Sequence, residues 1–200
     1  MLRVGLAQLS GWDPDLAAIV TRFGPPPLWA REPGFATMIR IILEQQVSLA
    51  SASAAYARLA ATVGRVTPSR ILDVDEESLR AAGLTRQKAR YIRALAESIV
   101  RKDFHFGHLA ALDDDAAREA LITLEGVGRW SADIYLLMAL LRPDVWPASD
   151  LALASAVRQV KRLRQRPTTE ELERIGERWR PWRAVAARLL WHQYLSARKT

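Results

Sequence analysis

Residues 121 to 132 read Leu121-Ile122-Thr123-Leu124-Glu125-Gly126-Val127-Gly128-Arg129-Trp130-Ser131-Ala132. The residues up to Thr123 fit the end of a helix, and from Arg129 to Leu141 an apolar run continues at helical spacing. Between them stand two glycines, which tolerate positive φ and carry no Cβ, so the chain can reverse tightly there. The stretch reads as helix, hairpin, helix. The N–H groups at the head of the second helix, near Gly128, form a positive dipole end that suits an anion. A Gly-x-Gly turn is also an ordinary helix connector, so the flanking sequence has to decide.

Outward from the hairpin the punctuation is helical in both directions. Asp13-Pro14 sets an N-cap before a proline at the first helical position, opening a helix that ends near Phe23-Gly24. Pro25-Pro26-Pro27 is a stiff connector. A helix from near Gly34 carries Met38, Ile41 and Ile42 to Gln45, and Ser48 caps another that Gly64 stops. Thr67-Pro68, Asp75, Thr85 and Asp113 each open a further helix, and Pro143 stops the one after the hairpin. Asp150 stands as an N-cap before Leu151, Leu153, Ala154, Val157 and Val160, Thr168 or Thr169 caps the next helix, and Pro181 begins the last. The expectation is an all-α protein of about ten short helices, without a solenoid repeat and without sheets.

The 200 residues contain no cysteine and are about half apolar, enough for a substantial core. Without Cys there is no thiolate nucleophile, no iron-sulfur cluster and no Cys-based zinc site. His105, His108 and His192 do not form a convincing metal set. No Gly-x-Gly-x-x-Gly or Walker loop suggests a nucleotide, and no cofactor is expected. The longest apolar run, Ile134 to Leu141, is too short to span a membrane and the N-terminus lacks a secretory pattern, so the expected location is cytoplasmic and nucleoid-associated, with no membrane partner. Net charge is +7. Residues 1–150 carry 17 Lys/Arg against 18 Asp/Glu, while residues 151–200 carry 12 against 4. A positive excess concentrated in one segment suits a phosphate-bearing partner, and equally suits a solubilising surface.

The pattern Leu-x-Gly-Val-Gly-x-Trp-x-Ala around Gly126 and Gly128 resembles the hairpin of the helix-hairpin-helix DNA glycosylase superfamily. Three further segments match in order: Ile41-Ile42-Leu43-Glu44-Gln45-Gln46-Val47-Ser48, Gly83-Leu84-Thr85-Arg86-Gln87-Lys88-Ala89, and Trp146-Pro147-Ala148-Ser149-Asp150-Leu151. With Arg178-Trp179-Arg180-Pro181-Trp182-Arg183 they resemble the DNA-3-methyladenine glycosylase II branch over roughly residues 34 to 195, as a catalytic-domain-only form. The resemblance implies a two-lobed all-α glycosylase fold without an iron-sulfur cluster. One lobe would be residues 34–142, with the helix-hairpin-helix at about 113–141. The other would be residues 1–33 plus 143–200, carrying the catalytic Asp, with the cleft between them. It also implies a monomer acting on double-stranded DNA that contains damaged bases.

By the same resemblance Asp150 is the catalytic carboxylate. Cleaving an N-glycosidic bond builds oxocarbenium character on the sugar, which a fixed carboxylate stabilises while orienting water. An alkylated purine already carries a positive charge and leaves without strong acid help. N-capping is the competing reading of Asp150, and the two roles are compatible. Bifunctional members carry a Lys where this chain has Trp130, and an indole cannot form a Schiff base, so a monofunctional enzyme without AP-lyase activity is implied. Trp130 and Trp191 would line the base pocket with Tyr135, for which core packing competes, and the other five tryptophans belong mostly to the core. Gly126, Gly128, Arg129 and Ser131 would hold a DNA phosphate, and the carbonyls of Leu124 and Val127 a monovalent cation, with no other metal. The turn at Gln45 and Gln46 would supply the wedge that fills the gap left by a flipped base. A relative has an apolar side chain at Gln46, which leaves the identity of the wedge open: the alternative is that Gln46 hydrogen-bonds the orphaned partner base and Gln45 fixes the turn. Glu44 stands where a small residue is common and has no evident role. Asp133 reads as a local structural acceptor.

Two rivals follow: a helix-hairpin-helix module that binds DNA without excision, and a glycosylase for deaminated or oxidised bases. Carbohydrate hydrolysis lacks any recognisable pair of acids and leaves the basic segment unexplained.

Overall fold

The computed structural model describes residues 1 to 197. Among them every regular element is helical, in twelve α-helices and two 3₁₀ segments. The chain forms two compact units. One runs from Arg31 to Leu140; the other joins Met1–Ala30 to the chain from Leu141 onward.

The unit of residues 31–140 holds α3 (Phe35–Glu44), α4 (Leu49–Val63), α5 (Pro68–Leu72), α6 (Glu76–Ala81), α7 (Arg86–Val100), α8 (Asp114–Ile122) and α9 (Arg129–Met138). A 3₁₀ turn at Phe106–Ala111 precedes α8. Its core is made by α3 and α9, which pack together and are buried nearly all round: Met38 to Leu43 apart from Arg40 on one, Ser131 to Leu137 on the other. A helix apolar on every side has no solvent face to offer and must lie inside. Shorter, polar-faced helices surround the pair, and α7 packs on both α3 and α5.

The other unit holds α1 (Leu2–Trp12), α2 (Pro14–Phe23), α10 (Leu151–Val160), α11 (Thr169–Gly176) and α12 (Arg183–Ser196). Here α12 is the central helix, buried from Ala184 through Trp191, with α1, α2 and α10 packed on it. Arg188 lies on this buried stretch, and its guanidinium donates to the Leu28 carbonyl. Its pKa is pulled down to about 10 by burial.

Helix α1 was not expected. Leu2, Leu6 and Leu9 have helical spacing, but Gly5 and Gly11 weaken the propensity signal. Gly5 is needed for packing, since a Cβ there would stand 2.9 Å from Val185 Cγ2 and 3.0 Å from Trp182 Cε3. Helix α12 starts at Arg183, not Pro181, because Trp182 is its non-helical N-cap. The helix after the hairpin stops at Met138, short of Leu141, which adopts a left-handed φ of 54°. Trp12 is 51% exposed and lies outside the core.

Candidate active site

The hairpin between α8 and α9 is built from local rules and then locked from outside. Asp113 caps α8 by accepting from the Ala116 amide, and the Val127 amide closes the turn on the Leu124 carbonyl at 3.0 Å. Gly126 has a φ of +81°, and a Cβ on it would sit 2.2 Å from Cγ of Tyr91. Only glycine meets both demands. Gly128 is the N-cap of α9 and supplies no side-chain acceptor to the first turn. Arg129 is exposed, with its Nε 4.0 Å from Asp133. Asp133, 1% exposed, accepts from Arg118 Nε at 2.6 Å and so ties α8 to α9, the structural role expected of it.

The turn between α3 and α4 is joined to this hairpin. Gln45 Nε2 donates to the Gly126 carbonyl at 2.8 Å and to Ser131 Oγ at 2.9 Å. This corrects two expectations. Ser131 is 2% exposed and its hydroxyl is occupied by Gln45, so it is an internal brace and not a phosphate-binding side chain. Gln45 points inward as the fixing residue and is not a wedge. Gln46 is exposed and adopts a left-handed φ of 58°, at the tip of the turn. A cavity of about 530 Å³ opens beside it, lined by Gln45, Gln46, Lys88, Tyr91 and the hairpin from Ile122 to Gly128.

Two residues on which sequence reasoning was silent or blank acquire roles here. Glu44 makes a paired ion bridge to Arg31, with contacts of 3.0 and 2.8 Å, which anchors the end of α3. Lys88 Nζ donates to the carbonyls of Leu43 at 2.8 Å and Gln45 at 3.0 Å. It lies within the matched stretch Gly83 to Ala89, but no spacing rule shows that its ammonium reaches the end of α3. Tyr135 is fully buried, its hydroxyl accepts from the Gly34 amide at 2.7 Å, and its ring stacks on Phe106. It is a core residue, which corrects its assignment to a base pocket. Trp130 is half-buried on the first turn of α9.

In the other unit Asp150 caps α10. Its Oδ1 accepts from the Leu153 amide at 2.6 Å and from the indole Nε1 of Trp191 at 3.1 Å. Two donors on one oxygen fix the carboxylate, which is half-buried. Trp191 is 7% exposed on α12, so the structure gives it the task of holding Asp150 and little open ring face. The segment before Asp150 is held by Trp146, whose indole donates to the Leu172 carbonyl at 2.9 Å. Leu151, directly after Asp150, is 67% exposed.

Among the described residues no group of three or more His, Cys, Asp or Glu could hold a metal ion. His105 caps the 3₁₀ turn and stands against His108, and His192 meets the Phe23 carbonyl. The hairpin carbonyls of Leu124 and Val127 are uncharged oxygen donors, a donor type that suits a monovalent cation.

These features define a helix-hairpin-helix protein with an anchored aspartate. Residues 39–181 match the model of the HhH-GPD superfamily of base excision DNA repair proteins, and the chain belongs to that superfamily. A 3-methyladenine DNA glycosylase from Schizosaccharomyces pombe, Mag1, solved in complex with abasic DNA, superposes with a TM-score of 0.85 at 28% identity, covering 94% of each chain. The alkylbase DNA glycosidase-like protein mag2 of S. pombe is 27% identical over 191 residues, 92% of this chain and 90% of that one. The probable bifunctional transcriptional activator/DNA repair enzyme AlkA of Mycobacterium tuberculosis is 33% identical over 201 residues, 93% of this chain but 38% of the longer protein.

Proposed function

We propose that this protein is a monofunctional DNA glycosylase that removes alkylated purines, of the 3-methyladenine and 7-methylguanine type, from double-stranded DNA. The observation that carries this reading is Asp150, fixed on one oxygen by the Leu153 amide and the Trp191 indole. Membership of a base excision repair superfamily supports DNA as the substrate of that carboxylate.

In the mechanism, Gly126 and Gly128 let a phosphate approach the backbone at the head of α9, with Arg129 adding charge. The carbonyls of Leu124 and Val127 would hold a monovalent cation, whose charge would help to draw the phosphate in. Gln46, exposed on the turn after α3, enters the space vacated by the extruded nucleotide and hydrogen-bonds the partner base. The half-buried Trp130 ring stacks on the electron-poor base. As the bond from C1′ to the base nitrogen breaks, its electrons leave with the base and neutralise the charge of the alkylpurinium. Positive character grows on the sugar, and the Asp150 carboxylate stabilises it. Water then bonds to C1′ and its proton passes to the carboxylate or to solvent, giving an abasic site. With Trp130 in the hairpin helix and no amine there, strand scission is not part of the reaction.

The test is release of methylated purines from alkylated duplex DNA by the wild type and Asp150→Asn, with strand breaks followed before and after alkali. Release by the wild type alone, with breaks only after alkali, supports the proposal. Equal DNA binding by both proteins without release by either overturns it and leaves a binding module; release of deaminated or oxidised bases alone would support the other rival.

A further inference from the structure

We infer that Lys88 is a positioning residue that sets the turn at Gln45 and Gln46 in a fixed register with the hairpin, so that gripping the backbone and entering the duplex occur as one event. This rests on the base-extruding role proposed above for that turn and hairpin.

The argument begins with the end of α3. The last carbonyls of a helix lack intrahelical donors and require partners. Here the ammonium of Lys88 satisfies one of them, Leu43, at 2.8 Å and also the carbonyl of the C-cap residue Gln45 at 3.0 Å. A cation at a helix C-terminus also complements the dipole. The chain then passes through Gln46 at a φ of 58°, a conformation that non-glycine residues adopt at a cost and keep only where the surroundings enforce it. Lys88 is one of those surroundings, bonded to the residue before the strained one. The side chain of that residue, Gln45, spans to Gly126 and Ser131 in the hairpin.

Lys88 stands on α7, and so does the ring that closes on Gly126. Tyr91 lies three residues further along, packed where a Gly126 Cβ would be, and its hydroxyl is held by Gln87 Nε2 at 2.6 Å. One face of α7 thereby touches the turn through Lys88 and the hairpin through Tyr91. Gln45 closes the loop between them. Burial lowers the pKa of Lys88, so the charge is kept there against a desolvation penalty. A lysine serving only solubility would not stand half-buried with two backbone acceptors.

The experiment compares the wild type with Lys88→Met and Lys88→Arg on two readouts. The first is release of a methylated purine from a duplex and from a single strand of the same sequence, where no pair has to be opened. The second needs no chemistry: 2-aminopurine placed beside the target base brightens when entry of the turn extrudes that base and the probe loses its stacking neighbour. Leaving two carbonyls without their charged donor is expected to lower duplex release about tenfold for Lys88→Met. Single-strand release and affinity for undamaged duplex should stay near wild type, the brightening should be lost, and Lys88→Arg should restore part of both. Equal losses on both substrates, in proportion to a lower melting temperature, would overturn the inference in favour of a plain stabilising role. Unchanged brightening in Lys88→Met would also overturn it. If the wild type releases no base yet still brightens the probe and Lys88→Met does not, the excision proposal fails and the positioning role stands.

Discussion

Asp150 is an N-cap in the structure and, under the proposed reaction, also a stabiliser of positive charge, two ends with different side-chain requirements. As an N-cap it needs an oxygen acceptor, which Asn supplies as well; as a stabiliser of positive charge it needs the negative charge, which Asn lacks. Asp150→Asn should therefore lower single-turnover base release by about 10²–10³-fold. Its urea midpoint should remain near wild type, whereas Asp150→Ala should also lose about 1 kcal/mol of stability with its cap. Gly126 is limited differently. Gly126→Ala meets both the positive φ and the Tyr91 ring, so replacing Tyr91 by Ala as well should recover only part of the lost stability. Full recovery in the double variant, measured by urea unfolding, would assign the whole effect to the clash and none to the backbone. Asp150, Gly126, Gly128 and Trp130 could be picked out because each sits in a short contiguous pattern. The roles of Lys88 and Glu44 and the partners of Gln45 were not legible, because those partners lie far along the chain or on another helix, at Leu43, Arg31 and Gly126.

Among the helices, the starts were the most legible feature. Asp13, Ser48, Thr67, Asp75, Thr85, Asp113, Asp150 and Thr168 each accept from an amide of the helix they open, since a cap is a contact between near neighbours. Helix α1 escaped because its buried Gly5 is chosen for the approach of α12, a tertiary demand that contradicts local propensity. The pairing of α8 with α9 depends on the Arg118–Asp133 bridge, with Asp115 adding a contact of 2.5 Å to the same guanidinium. Arg118→Met removes a charged hydrogen bond from the buried Asp133, so it should cost about 1.5–3 kcal/mol. Thermal unfolding and duplex binding should fall together if the clamp also shapes the hairpin; binding that survives at a temperature where the variant is folded would separate the two.

For the whole molecule, stability should decline at both ends of the pH scale, each limb arising in a different unit. Burial acts to raise the pKa of Asp13, but bonds from Lys161 at 2.7 Å and Trp179 Nε1 at 2.8 Å outweigh it, and the net shift is downward. A lowered carboxyl adds stability above its unfolded value, about 3.9, that disappears as pH falls through the folded value. Asp13→Asn should flatten the acid limb of a melting-temperature profile. Tyr135 is opposite in sign: burial raises its phenol to about 12, outweighing the Gly34 amide bond that lowers it. Its contribution is complete below about 10 and lost as pH climbs through the folded value. Tyr135→Phe should flatten the alkaline limb, though it lowers the plateau by the lost bond to Gly34.

The discontinuity of the unit that carries Asp150 has a consequence for biosynthesis. Its first two helices leave the ribosome ahead of the 31–140 unit, yet the helix they pack on, α12, is made only after that unit. The intervening unit, with its hairpin, is complete before Asp150 has been translated. At roughly 5–20 residues per second, Leu9, Leu16 and Ile19 wait for seconds without their final partner while a finished neighbour folds downstream. The N-terminal apolar faces of the nascent chain are thus where a chaperone would find it.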